Sequence, residues 1–244
     1  MDRTPILERH LGFSVLRDDL LEGGTKGIIA DYIINNNIDK QEFVYASPGC
    51  GGFQISLATF CSRYGKKATI FTARNKTKYD NTILAQERGA NIVEIYPGYL
   101  STVQKRARDY CYQNDAVYVE FGGNPFVDIL VEYVKKVITA YGKEPDEIWI
   151  AVGSGTVADA ILKATEKCIV YGVQVGKDYE PKCICPHIIN KRLHLLRYDK
   201  PFKNKSKVVA PFPSMPHYDL KAYEMMIRTR GFYPDGDVLF WNVM

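Results

Sequence analysis

Lys26 ends the turn Gly23-Gly24-Thr25-Lys26, and the turn opens an apolar run with helical periodicity from Ile28 to Ile34. A lysine at that place is presented from a helix start, where it can serve as a Schiff-base amine. The paired glycines permit backbone angles closed to other residues and let a flat ligand approach closely. Thr25 is in position to cap the following helix. The N–H groups of a first helical turn lower the cost of an uncharged amine or of a nearby anion. The same four residues also make a plain helix start with a solvated lysine, the usual fate of that residue type.

Two further loops carry chemistry. Trp149-Ile150-Ala151-Val152 runs directly into Gly153-Ser154-Gly155-Thr156 and then into the helix-patterned Val157-Ala158-Asp159. Backbone N–H groups and two hydroxyls therefore converge at a helix N-terminus, which makes an anion cradle. The loop has neither the Gly-x-Gly-x-x-Gly fingerprint nor a Walker lysine, so a small terminal phosphate suits it better than a dinucleotide or a nucleoside triphosphate. The second loop, Ser47-Pro48-Gly49-Cys50-Gly51-Gly52, also joins a strand to a helix. It reads either as a clamp for a substrate carboxylate, built by Ser47, Gly49, Cys50 and Gly51, or as a tight turn. Cys50 sits where a helix start lowers a thiol pKa, so it is a candidate to assist proton transfer or to touch the carboxylate. Cys183, Cys185 and His187 lack the second pair that zinc spacing requires, and no metal is expected.

The elements that must position these groups alternate. Short β-branched runs (43–46, 68–71, 92–95, 117–121, 147–152, 169–173) are separated by amphipathic ones (52–64, 82–89, 102–114, 126–141, and a helix from Thr156). This is the βαβ pattern of an α/β protein, with parallel twisted sheets flanked by helices, in which ligands bind beyond the carboxyl ends of the strands. The 244 residues are 46% hydrophobic and 25% charged, enough for one large or two small domains. The formal charge of +4 does not indicate nucleic-acid binding. The local run Lys200, Lys203, Lys205, Lys207 reads as a solvated loop, with phosphate contact as the alternative. There is no apolar run long enough to span a bilayer and no secretory pattern at the start, and the cysteines suit a reducing compartment; a cytoplasmic location is expected.

The order of the Gly-Gly-Thr-Lys turn, the Gly-rich loop before a helix, the Gly-Ser-Gly-Thr loop and the closing strand Asp237-Val238-Leu239-Phe240-Trp241 resembles fold type II enzymes dependent on pyridoxal 5′-phosphate, the tryptophan synthase β-like family. Arg17-Asp18-Asp19-Leu20 and Pro216-His217-Tyr218-Asp219-Leu220-Lys221-Ala222 are similar to stretches of its 1-aminocyclopropane-1-carboxylate deaminase and D-cysteine desulfhydrase group. The resemblance implies that Lys26 forms the Schiff base and moves the α-proton, and that Gly153, Ser154, Gly155 and Thr156 hold the phosphate. It places Asp219 at the pyridine nitrogen and Tyr218 beside the substrate as an acid/base group. A carboxylate at the ring nitrogen keeps the ring protonated and favours carbanion chemistry. Without the resemblance, Tyr218 and Asp219 read as an ordinary helix start with Asp219 as its N-terminal charge.

The resemblance further implies a larger cofactor-binding domain (1–40 and 122–244), a smaller α/β domain (41–121), and a homodimer. Two departures stand out. Cys50-Gly51 replaces the family's Ser-Asn, so the contact to the cofactor's ring oxygen falls to another group, with Asn75 and Asn124 as candidates. The chain is also short between Gly176 and Pro216, which trims the second region. The expected activity is a lyase or deaminase acting at the α-carbon of an amino acid or amine. The alternatives are a decarboxylase or lyase acting on an aminoacyl group attached to a larger molecule such as nucleic acid, and a non-catalytic protein that keeps the fold.

Overall fold

The computed structural model describes residues 3–10, 12–96, 98–176, 192–231 and 236–244, with the backbone alone at 122–124. In chain order its strands are β1 (Leu7–His10), β2 (Phe13–Arg17), β3 (Glu42–Ala46), β4 (Lys67–Ala73), β5 (Asn91–Ile95) and β6 (Val117–Val119). They continue with β7 (Glu147–Val152), β8 (Ile169–Gln174), β9 (Leu193–Arg197) and β10 (Val238–Asn242). The helices are α1 (Gly27–Asn35), α2 (Phe53–Arg63), α3 (Asp80–Glu87), α4 (Leu100–Asn114), α5 (Val127–Tyr141), α6 (Thr156–Ala164) and α7 (Asp219–Arg230). They fall into two compact units, one made of Met1–Thr25 with Phe126–Met244, the other of Lys26–Pro125.

The first unit holds a sheet in the order β1-β2-β10-β7-β8-β9, parallel throughout except for the antiparallel β1–β2 pair. Strand β7 is buried at every residue, as a central parallel strand covered on both faces must be. Side chains alternate across it. Trp149 and Ala151 pack with Phe13, Val15, Val173 and Phe240 against Ala222, Tyr223 and Met226 of α7. Ile148 and Ile150 point to the other face and are fully buried there, like Leu239 and Trp241 of β10. Trp241 meets Tyr133 of α5 edge-on on that side. Burial of these aromatic and branched side chains, at roughly 1.5–3 kcal/mol each, is the main force holding the sheet to its helices.

The second unit is a parallel sheet in the order β5-β4-β3-β6. Val44, Ala46 and Phe71 pack against Val103, Ala107 and Cys111 of α4, while α1, α2 and α3 pack in succession. The alternation expected from sequence is realised, with one correction. The strand expected over 117–121 stops at Val119, because the chain turns into a 3-10 helix at Phe121–Phe126. Among the described residues no helix is long and apolar enough to cross a membrane.

Candidate active site

The first unit builds its anion cradle at the carboxyl end of β7. Gly155 takes a positive φ of 79° as the residue before α6, which turns the chain sharply enough for Thr156 to start the helix. Ser154 Oγ and Thr156 Oγ1 lie 2.9 Å apart, so the two hydroxyls share one side of the loop. Gly153 is exposed, Ser154 half-buried and Thr156 buried, so the loop reaches the surface at Gly153. A Cβ at Gly153 would come within 3.0 Å of the Tyr218 hydroxyl. Loop and tyrosine are thus in contact, and glycine is the residue that leaves space between them. The N-terminus of α6, with backbone N–H groups and two hydroxyls, can hold a phosphate.

Next to Tyr218 stands Asp219, the first residue of α7 and fully buried. Its Oδ2 accepts the backbone N–H of Met244 at 3.1 Å, while its Oδ1 is buried with no hydrogen-bond partner among the described residues. Burial pushes the carboxyl well above its ordinary range, and Asp19 and Asp18 push it further up; the backbone N–H groups of Val243 and Met244 oppose the rise. Asp219 does open α7, as a plain helix start would have it, and it is buried there. A buried carboxylate with an orphaned oxygen is costly unless a cation or donor completes it.

Lys26 opens the second unit. It takes helical angles as the residue before α1, and its carbonyl accepts the N–H groups of Ile29 and Ala30. The side chain is half-buried, and that burial lowers its ammonium to about 8. The turn that leads to it corrects the expected cap. Thr25 leaves α1 uncapped and sends its Oγ1–H to the buried carboxylate of Asp18, at 2.6 Å.

In the same unit the 47–52 loop is braced from three sides. Gln54 Nε2 donates to the carbonyls of Gly49 and Gly51 (2.9 and 2.8 Å), Asn81 Nδ2 to that of Cys50 (2.8 Å), and Thr82 Oγ1 to that of Gly49 (2.9 Å). Tyr79 lies over Gly49, where an added Cβ would be 2.5 Å from its ring. Ser47 is buried and spends its hydroxyl on the Pro48 carbonyl, and Cys50 is half-buried. Such bracing holds a backbone in one shape, as a binding loop needs.

Gln54, Asn81 and Thr82 act through the backbone of the loop and carry no motif of their own, so sequence alone assigns them no part in the site, and Asp18 likewise has no role there. Asn75 is exposed and donates to its neighbouring carbonyl of Ala73. The Asn124 side chain and the trio Cys183, Cys185 and His187 lie outside the described residues.

Residues 3–186 match the family described as pyridoxal-phosphate dependent enzyme. No curated protein matches the chain. Among solved structures, an ACC deaminase homologue superposes with a TM-score of 0.76 at 16% identity, over 95% of this chain and 83% of its own. The O-acetylserine dependent cystathionine β-synthase of Helicobacter pylori gives 0.70 at 14%, over 99% and 92%. The diaminopropionate ammonia lyase of Escherichia coli gives 0.63 at 12%, over 96% and 78%. At such identities the likeness is one of fold.

Proposed function

We propose, for a chain that belongs to the pyridoxal-phosphate dependent enzyme family, a lyase or deaminase that acts at the α-carbon of an amino acid or amine and anchors its cofactor on Lys26. Family membership brings pyridoxal 5′-phosphate, and the first unit offers what such a group needs: a cradle at Gly153–Thr156 for the phosphate and, among the described residues, an unpartnered Oδ1 of Asp219 for a protonated ring nitrogen. When bound, the cofactor supplies an electron sink for the pair left at the α-carbon when a bond there breaks.

The remaining work falls to the protein. Asp219 would keep a proton on the ring nitrogen, because a positive charge facing its Oδ1 favours the ionised carboxylate that burial alone disfavours. Lys26 Nζ, with its ammonium lowered to about 8, is poised near neutral pH to lose a proton and then take one from the α-carbon. The Tyr218 hydroxyl, against Gly153, is the second acid/base group. The braced loop of Ser47, Gly49, Cys50 and Gly51 orients the substrate carboxylate, with Cys50 as its reactive side chain.

Asp219 is the observation that carries this reading. A hydroxyl there would leave the ring neutral, whereas a carboxylate favours carbanion chemistry. The test is to load the purified protein with pyridoxal phosphate, record its visible absorbance, and assay release of ammonia and keto acid from a panel of amino acids. A yellow protein that turns over at least one amine, and a Lys26→Ala variant that does neither, support the proposal. A coloured protein inert towards every amine would replace it with a non-catalytic one.

One feature favours a second reading, in which the aminoacyl group is attached to nucleic acid. Lys200, Lys203, Lys205 and Lys207 are exposed on a loop that is pinned from beneath. Ser206 and Tyr198 both donate to Glu224, and buried Lys221 donates to the carbonyls of Pro201 and Phe202. Binding of single-stranded nucleic acid that weakens steeply with salt supports this reading; its absence leaves the free amine as substrate.

A further inference from the structure

We propose that Asp18 is a positioning residue for Lys26: acting through Thr25 and Trp241, it fixes the turn from which the lysine is presented. The proposal rests on the reading of Lys26 as the anchor.

Asp18 follows β2 in the 3-10 turn Asp18–Leu20 and is fully buried. Its Oδ1 accepts the Tyr133 hydroxyl at 2.6 Å, and its Oδ2 accepts Thr25 Oγ1–H at 2.6 Å and Trp241 Nε1–H at 3.1 Å. Trp241 Nε1–H is shared with Thr25 Oγ1 at 3.0 Å. The threonine hydroxyl thus gives its proton to Asp18 and takes one from the indole, and both of its roles are assigned. Three donors converge on one carboxylate, a group that only accepts when ionised. Burial pushes Asp18 up to about 6 against the pull of these donors, so it remains mostly ionised at neutral pH.

The backbone of the turn is held residue by residue. Arg3 donates to the carbonyls of Glu22 and Gly24 (2.7 and 2.8 Å), Gly24 N–H bonds the Leu21 carbonyl at 2.9 Å, and Thr25 N–H bonds that of Val243 at 3.1 Å. Gly24 has a φ of 63°, and an added Cβ would sit 2.4 Å from the Val243 oxygen. Val243 and Met244 also supply the N–H groups that face Asp219. The turn that ends at Lys26 and the carboxylate assigned to the ring nitrogen therefore share one peptide unit, Val243–Met244, whose C=O holds Thr25 and whose N–H holds Asp219. Misplacing a reacting group by about 1 Å costs on the order of a hundredfold in rate, so a platform held this closely has a chemical reason.

Asp18→Asn keeps the shape but turns an NH2 towards one of the donors, while Thr25→Val removes the hydroxyl and Thr25→Ser retains it. Each full-length variant is mixed with pyridoxal phosphate, quenched with borohydride at timed intervals to reduce the C=N bond to a secondary amine, and mapped by peptide mass. Non-covalent affinity is measured in parallel by equilibrium dialysis in the Lys26→Ala background, and folding by Tm. We expect Asp18→Asn and Thr25→Val to slow capture at Lys26 about tenfold or more with affinity within about twofold, and Thr25→Ser to restore it. If Asp18→Asn fails to fold, the two Thr25 variants carry the test. Capture at the parent rate in Asp18→Asn or in Thr25→Val overturns the proposal. A label on some other lysine in the parent overturns the anchor assignment itself, and the peptide map tells the two failures apart.

Discussion

Lys26 should be reactive before any cofactor arrives. Burial lowers its ammonium from 10.5 to about 8. At pH 7 the neutral fraction is then about one in ten, against about one in 3,000 for an ordinary lysine, a ratio of about 300. The assay is competitive acetylation of the apo-protein with trace acetic anhydride at a series of pH values, with the label at each lysine quantified by peptide mass. Because half-burial also slows access, the midpoint of the profile is read in place of the absolute rate. Lys26 should level off above pH 8, while an ordinary exposed lysine keeps gaining about tenfold per unit beyond it. The linkage has a matching sign: the unfolded chain holds the proton more tightly, so the folded state loses about 3 kcal/mol as pH falls from 10.5 through 8. Lys26→Met should remove that slope. A Lys26 profile that rises without a break to pH 10 would refute the argument that its surroundings tune it.

Three other outcomes follow from the geometry. Gly24→Ala places a Cβ on the Val243 oxygen at a positive φ and should destabilise the protein by about 2–4 kcal/mol, visible as a lower Tm and in urea titration. Asp219→Asn keeps the shape and an acceptor for the Met244 N–H but cannot ionise, so it should keep the fold and the bound phosphate while lowering turnover about a hundredfold or more; unchanged turnover would take the ring nitrogen away from Asp219. Iodoacetamide should alkylate half-buried Cys50 before Cys61, Cys111 and Cys168, whose buried thiols are pushed up to about 12, 11 and 12; the order of labelled peptides checks it.

The elements were legible because hydrophobic period and strand-to-helix alternation are local signals. β7 is legible because the unbroken apolar run Ile148–Val152 leaves little choice, and every residue from Glu147 to Val152 is buried. The start of the chain was less legible. β1 and β2 are short and lie at one side of a sheet whose other members are distant in sequence, so Leu7–His10 offers no period to read. The Gly153–Thr156 loop could be read directly, since its chemistry lies in consecutive residues. Asp18 could not: its partners Thr25, Tyr133 and Trp241 are brought to it by the sheet from up to 223 positions away. Thr25 shows the limit of local rules, because a buried carboxylate outbid the helix start for its hydroxyl.

Which amine holds the cofactor is the most direct test. The parent protein, loaded with pyridoxal phosphate, reduced with borohydride and digested, should carry one pyridoxyl group on the peptide that contains Lys26, with Lys26→Ala unlabelled. A single label on any other lysine, or a parent that takes up none, would contradict it.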